Sequence, residues 1–475
     1  MSVQGARAVA YDVLRAVSAD EAYANLSLPH AIERARLDAK DAGLATELTY
    51  GTLRRRGTYD AIIAAAADRT VDRIDPPVLD ALRLGVHQLL STRVASHAAV
   101  NESVELARRH GGGRGAAGFA NAVLRRVSRE TPGHWMDRIT ASARSDDERL
   151  GLTSAHPVWI VRAFRRALTA EGRGDELDAL LAADNDAPRV AMIALPGLAE
   201  IPGDARPARY APTAFTTRGG DPEVLIRASD GRIRVQDEGS QLAALALSRF
   251  RPVEAGERWL DLCAGPGGKT ALLAAEALAG GARLDANEIS PHRAALVRRA
   301  VASVPLEVEV TEEDGRDRAA RTPGEYDRIL VDAPCTGIGA LRRRPEARWR
   351  KTPADVPDLT ALQLELVRAG LGALKPGGVL AYVTCSPHLA ETSGVLAEVR
   401  REFGDAVEEL DARAVVRDIA GSDIDLPAQS DGSLRAQLWP HRHGTDAMSI
   451  ALLRRVSSRV RGQDLSPVRD PSDSF

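Results

Sequence analysis

The chain has 475 residues, 44% of them apolar and 27% charged, and its 63 basic residues nearly balance its 66 acidic ones. That composition argues against a disordered chain, no apolar run nears the roughly 20 residues that a membrane-spanning helix needs, and a net charge of −3 does not by itself mark a polynucleotide binder. At roughly 150 residues per domain the length predicts about three units, and the absence of a cationic and apolar leader predicts a cytoplasmic protein.

From Gly5 to about Val127, stretches such as "ARAVAYDVLRAV" and "PPVLDALRLGVHQLL" space apolar residues at three and four, which predicts a bundle of short helices. Arg54, Arg55 and Arg56, and then Arg125, Arg126 and Arg129, form basic runs that charge alone assigns to solvated helix faces. Residues 1–135 are therefore expected as an all-α domain. Residues 136–235 begin with helices around "VWIVRAFRRALTAEG" and turn to short β-prone pieces, "RVAMIAL" and "GRIRVQD", as in a connector with a small α+β subdomain. Over 236–456 the rhythm changes. Short apolar strands each precede a turn and usually a helix, which predicts an α/β domain with a parallel, doubly wound sheet. "AQLWPHRHGTDAMSIALLRRV" reads as two strands round a loop, placed at an antiparallel edge. Residues 457–475 lack an apolar period and are expected as a disordered tail.

Cysteine and lysine are both scarce. The three cysteines, Cys263, Cys335 and Cys385, all sit in turns at predicted strand ends, in "DLCAGPGGKT", "DAPCTG" and "TCSPH". So small and odd a number speaks against a disulfide framework. The only lysines are Lys40, Lys269, Lys351 and Lys375, and Lys269 lies inside the glycine turn.

In doubly wound sheets ligands sit beyond the carboxyl ends of the strands. The turn Cys263, Ala264, Gly265, Pro266, Gly267, Gly268, Lys269 follows one such strand and opens a helix. It is not a phosphate-binding P-loop, because Cys263 stands where the first glycine belongs, and Thr270 occupies the third glycine of a dinucleotide fingerprint. An adenosine-cofactor turn remains, with Glu288 about 20 residues on to accept ribose hydroxyls and Asp314 after the third strand to meet an adenine amino group. Asp332 and Cys335 end the fourth strand and Cys385 ends the fifth, so both thiols and the acid are expected on one rim. "LRRRPEARWRK" adds Arg342, Arg343, Arg344, Arg348, Arg350 and Lys351 around Trp349, a candidate surface for single-stranded polynucleotide.

The motifs "LDLCAGPGGKT", "DGRD", "DAPCTGIG", "RRRPEARWRK", "LKPGGVLAYVTCSPH" and "VQDEGSQLAAL" resemble those of the NOP/Sun family of RNA cytosine-C5 methyltransferases. The N-terminal bundle, with "VNESVELARRHGGGRGAAGFANAVLRRV", is similar to NusB. The combination resembles the bacterial rRNA-methylating members of that family. The resemblance implies a class I (Rossmann-like) methyltransferase sheet behind a NusB-like bundle, S-adenosyl-L-methionine as cofactor, and a loop or single-stranded cytosine of 16S rRNA as substrate. No metal is expected, because the chemistry needs none, and the chain is expected as a monomer.

Chemistry agrees with the residues. Carbon 5 of cytosine is a poor nucleophile until a thiolate adds to carbon 6, and a second group must then take the C5 proton so that the thiol can leave. An acid at the base edge stabilises the charge that develops there. The residues alone leave open which sulfur attacks. The resemblance implies Cys385 as nucleophile, Cys335 in release and Asp332 at the base edge, with Asp332 and Lys269 also touching cofactor.

Some positions depart from the family pattern. Glu288 stands where Asp is usual, and Ala447, Met448 and Ser449 stand where relatives often carry glycine and aromatics. His441, His443 and Asp446 offer no complete metal ligand set. A zinc deaminase is excluded, since neither H-x-E nor P-C-x-x-C occurs. Two rivals stay open: the same chemistry on tRNA, and a non-catalytic RNA-binding assembly factor.

Overall fold

The computed structural model describes residues 5–20, 22–217 and 219–456; the stretch expected as a disordered tail, 457–475, lies outside them. The chain divides into two compact units. The first holds residues up to 165 with 178–187 and 340–352, and the second holds 166–177, 188–339 and 353 onward. The stretch expected as a connector, 136–235, is shared between them.

The first unit is helical: α1 (Gly5–Ala19), α2 (Ala24–Ala35), α3 (Ala39–Arg54), α4 (Arg56–Ala67), α5 (Pro76–Ser91), α6 (Ser96–His110), α7 (Arg114–Val127), α8 (Pro132–Thr140) and α9 (Asp146–Ser154). Periodicity explains them. α1 buries Ala6, Val9, Ala10, Val13, Leu14 and Val17, a single stripe at three- and four-residue spacing. α5 starts on Pro76 and Pro77, whose missing N–H groups cost a first turn nothing, and is buried without a break from Val78 to Gln88, as befits the central helix. Asp38 caps α3, accepting from the Asp41 N–H at 2.8 Å. α10 (Val158–Ala170) and α11 (Leu177–Ala183) run across the boundaries of the units.

Residues 340–352 carry the arginine-rich segment, and they belong to this helical unit. Arg348 is fully buried. It donates to the carbonyls of Arg54 (2.5 Å), Asp184 (2.8 Å) and Ala155 (3.3 Å) and to Asn185 Oδ1 (2.8 Å). Burial pulls its guanidinium down to about 10. Trp349 presses on α4 at Gly57, where any Cβ would stand 2.4 Å from its ring. Glu346 Oε1 accepts from the Ala24 N–H at 3.3 Å, Arg350 donates to the Ala22 carbonyl, and the Arg344 and Arg350 guanidiniums lie 5.4 and 4.3 Å from the Tyr23 ring centre.

The second unit contains two sheets. A small antiparallel one, in the order β2-β3-β1-β4, joins β1 (Ala191–Ala194), β2 (Arg206–Pro207), β3 (Ala214–Thr216) and β4 (Ile233–Val235). The larger has eight strands: β5 (Arg258–Asp261), β6 (Arg283–Asn287), β7 (Val308–Thr311), β8 (Tyr326–Asp332), β9 (Leu374–Thr384), β10 (Val407–Leu410), β11 (Ala436–Gln437) and β12 (Ser449–Arg455). Its order is β10-β12-β9-β8-β5-β6-β7, with β11 beside β12. The pairs β5–β6, β6–β7, β5–β8 and β8–β9 are parallel. This is the expected mixed α/β sheet, with one correction: β12 is not an edge but an antiparallel strand enclosed between β9 and β10.

Helices α12 (Pro222–Ala228), α13 (Glu238–Arg249), α14 (Gly268–Gly280), α15 (Pro291–Val301), α16 (Gly315–Ala320), α17 (Val356–Ala373), α18 (Ser393–Phe403), α19 (Ala412–Ile419) and the short α20 (Pro440–His443) also belong to the unit. β8 buries most of its residues and α14 buries the unbroken run Thr270–Ala277, as segments covered by neighbours must. β5 lies between β6 and β8, so the chain order reverses beside it, and in such sheets ligands bind beyond the carboxyl ends of the strands at that reversal. No helix among the described residues is long and apolar enough to cross a membrane.

Candidate active site

Two strand ends bring the thiols together. β8 and β9 pair in parallel with Asp332 opposite Val383, so the turns that follow start level with one another. Cys335 Sγ lies 3.5 Å from Cys385 Sγ. Gly339 closes the gap behind them: its N–H donates to the Cys385 carbonyl at 2.9 Å, and its own carbonyl accepts from the Ala447 N–H at 2.8 Å. A Cβ here would meet the Ala447 oxygen at 2.1 Å, so only glycine fits.

The two sulfurs differ electrostatically. The hydrogen bond from Cys335 draws the Cys385 thiol below the ordinary range, and Lys269 adds to that pull. The same contact, together with burial, holds Cys335 well above it. Cys385 is thus the readier thiolate and Cys335 the proton-bearing neighbour. Lys269 Nζ donates to Asp332 Oδ2 at 2.8 Å; burial works against the ammonium, but Asp332 outweighs it and the lysine is raised.

The glycine turn leads from β5 into α14. Gly267 takes φ +102 and faces Val297 and Ala300, where a Cβ would clash at 2.9 and 2.7 Å. Gly265 lets its N–H reach Glu288 Oε2 at 3.0 Å, and a Cβ would stand 2.2 Å from that oxygen. Glu288, at the end of β6, also accepts from the Ser290 N–H at 2.9 Å and pairs with Arg293 at 2.6 Å. A carboxylate has about four acceptor sites. With three in use, Glu288 takes both ribose hydroxyls only if the half-exposed Arg293 swings aside. Asp314 caps α16 through the Arg316 N–H (2.9 Å) and chelates the Arg316 side chain, which holds its carboxyl below the usual range. Cys263 and Ala264 line the same turn, and burial pushes the Cys263 thiol up.

The structure therefore gathers Asp332, Cys335, Cys385 and Lys269 at one rim, with the glycine turn, Glu288 and Asp314 at the adjoining strand ends. It does not present the arginine-rich segment as expected. Arg348 and Trp349 are spent inside the helical unit and Arg342 is buried, while Arg343, Arg350 and Lys351 are half-buried and Arg344 is exposed. Among the described residues no group of three or more His, Cys, Asp or Glu is placed to hold a metal. His443 is occupied instead, by the Trp439 N–H (2.8 Å) and the Asp425 carbonyl (2.9 Å), and His441 meets Glu176 at 2.7 Å.

Three residues escaped the sequence reading. Gly339 ends the quoted motif "DAPCTGIG", with no local sign that it bridges two distant loops. Ile289 follows Glu288 and is 58% exposed, an apolar side chain in water at a strand end. Glu391 is fully buried, and its partners lie up to 55 residues away in sequence.

Residues 249–454 match the model of the 16S rRNA methyltransferase RsmB/F family, and residues 4–129 match that of the NusB family. A candidate methyltransferase of Mycobacterium tuberculosis, Rv1407, is 48% identical over 459 residues, covering 95% of this chain and 97% of its own. Ribosomal RNA small subunit methyltransferase B of Pseudomonas putida is 33% identical over 404 residues, covering 82% and 87%. The chain belongs to the RsmB/F family. It is an RNA methyltransferase of the RsmB/Sun type with a NusB-family helical domain. The crystal structure of PH0851 shares the fold of this RsmB/F chain at a TM-score of 0.78 and 21% identity, covering 96% of this chain and 99% of that one. A methyltransferase homolog from Pyrococcus horikoshii does so at 0.50 and 22%, covering 64% and 97%.

Proposed function

We propose that the protein transfers a methyl group from S-adenosyl-L-methionine to carbon 5 of an unpaired cytosine in 16S rRNA, through a covalent bond between Cys385 and carbon 6. The observation that carries this reading is the pair of unlike thiols 3.5 Å apart at the ends of β8 and β9. Plain structural cysteine does not call for one sulfur lowered by the other at a ligand-binding rim.

The residues at the rim fit an adenosine cofactor. The glycine turn allows close backbone approach, Glu288 and Asp314 offer carboxylates, and exposed Ile289 offers an apolar cover for a flat base. When bound, the cofactor supplies an electrophilic methyl group. Cys385, as thiolate, forms the bond to carbon 6, which makes carbon 5 nucleophilic. Asp332, held by Lys269, is aimed to steady the base edge as charge develops. After transfer the C5 proton passes to solvent water, its electron pair re-forms the 5,6 double bond and the Cys385–carbon bond breaks to give the Cys385 thiolate; Cys335, its S–H at hydrogen-bond distance from the departing sulfur, stabilises that thiolate. A base must leave its stack to reach the thiols, which favours loops and single strands over duplex.

The test is transfer of labelled methyl from S-adenosyl-L-methionine to unmodified small-subunit rRNA, with bisulfite sequencing of the product. Label in rRNA at a bisulfite-protected cytosine supports the reading. Label confined to tRNA reassigns the substrate, and RNA binding without transfer makes the protein an assembly factor.

A further inference from the structure

Each reactive sulfur is followed in the chain by a small hydroxyl residue, Thr336 after Cys335 and Ser386 after Cys385, and both hydroxyl residues reach one carboxylate. Glu391 comes from the short 3-10 turn Leu389–Glu391 and is fully buried. Its Oε1 accepts from the Thr336 N–H at 2.7 Å and from Gln363 Nε2 at 3.2 Å. Its Oε2 accepts from the Thr336 and Ser386 hydroxyls, each at 2.6 Å. Four donors converging on two oxygens suit a carboxylate, which only accepts.

The tether is itself anchored. Gln363 on α17 donates to the Pro334 carbonyl at 2.8 Å, one residue before Cys335. Tyr382, inside β9, donates to the Glu391 carbonyl at 2.6 Å and to Gln363 Oε1 at 3.1 Å. Thr384 donates to the Ser386 carbonyl at 3.0 Å, fixing the other side of Cys385. A buried anion is costly unless every acceptor is engaged, so this site is built at some expense, and what it joins are the two cysteine turns.

We infer that Glu391 is a positioning residue, the tie that holds the Cys335 turn and the Cys385 turn at sulfur-to-sulfur contact. The assignment rests on the thiol chemistry proposed above but does not need that chemistry for its test. Glu391 touches neither sulfur in this arrangement; it acts through Thr336 and Ser386.

Two substitutions separate the tie from its charge. In Glu391→Gln the amide oxygen still accepts from the Thr336 and Gln363 N–H groups, and the amide N–H₂ donates to the two hydroxyls, which turn to accept; the link survives without charge. Glu391→Ala removes both. The first readout is oxidation of the full-length protein by the thiol oxidant diamide, which takes two electrons and two protons from Cys335 and Cys385 as their sulfurs join, with the disulfide counted by peptide mass spectrometry. The second is methyl transfer, separated into kcat and KM.

A displacement near 1 Å at a reacting pair costs about a hundredfold in rate. Glu391→Ala is therefore expected to lose about a hundredfold in kcat with little change in KM for S-adenosyl-L-methionine, and to form the Cys335–Cys385 disulfide roughly tenfold more slowly. Glu391→Gln should restore most of both. A folded Glu391→Ala protein that forms the disulfide and turns over at wild-type rates overturns the inference. So does a Gln variant as impaired as Ala, because charge rather than tethering would then be at work. If Glu391→Ala does not fold, Ser386→Ala cuts the tie on the Cys385 side alone and must slow the disulfide. Disulfide rates that follow the tie while no RNA is methylated would uphold Glu391 and reject the proposed activity.

Discussion

Cys335 Sγ and Cys385 Sγ stand 3.5 Å apart, and this one contact, with Cys335 as the favoured donor, makes two chemically identical residues unlike. One is drawn toward thiolate; the other keeps its proton. In the proposed mechanism Cys385 must be ionised before it adds, so activity should rise with pH through its lowered value.

Removing the donor tests that contact. In Cys335→Ala, the pH midpoint for alkylation of Cys385 by iodoacetamide should move up, because the largest lowering influence is gone while burial, Asp332 and Asp446 still oppose the thiolate. An unchanged midpoint would transfer the credit to Lys269.

Gly339 is the next point of close packing. Any side chain there collides with the Ala447 carbonyl at 2.1 Å and approaches that of Cys385 at 2.8 Å. Gly339→Ala should push the two cysteine turns apart and lower kcat by about a hundredfold, while thermal unfolding changes far less. Methyl-transfer kinetics beside calorimetry would show it.

The helical unit makes its own prediction. Arg348 is buried among four acceptors, so Arg348→Ala should cost about 2–4 kcal/mol of stability. Its RNA affinity, measured while folded, should keep the wild-type salt dependence. Exposed Arg344 is the contrasting case: if it meets phosphate, Arg344→Ala should reduce the slope of log affinity against log salt by about 1. Chemical denaturation and binding at several salt concentrations check both.

Much of this was legible in the residues, for identifiable reasons. The alternation of apolar strands with turns and helices carries the sheet, and cysteines beside Pro, Gly and Asp carry the rim, because both are local patterns. The role of "RRRPEARWRK" was not legible. Six cations with one tryptophan look alike whether they face water or, as Arg348 does, satisfy carbonyls of α3 and its surroundings from more than 150 residues away. β12 was misplaced at an edge because its partner β10 is a short, half-buried strand with weak periodicity. Glu391 and Gly339 act across loops that only the fold brings together.

Asp261 yields a pH prediction for stability. It is 1% exposed at the end of β5, accepts from Thr270 Oγ1 at 2.7 Å, and burial lifts its carboxyl to about 7. The folded state then binds a proton that the unfolded chain releases near pH 4, so this group subtracts stability as pH rises from about 4 to 7, at up to about 1.4 kcal/mol per pH unit. Urea unfolding of wild type and Asp261→Asn at pH 5 and pH 8 should show the variant gaining on the wild type at the higher pH.

The most direct test uses Cys335→Ser with S-adenosyl-L-methionine and unmodified 16S rRNA, resolved on a denaturing gel and mapped by mass spectrometry. The account predicts a protein–RNA species that survives denaturation, joined through Cys385 to a methylated cytosine, and no such species from Cys385→Ser. A linkage through Cys335 in the Cys385→Ser protein, or methylated RNA made by that protein at the wild-type rate, would contradict it.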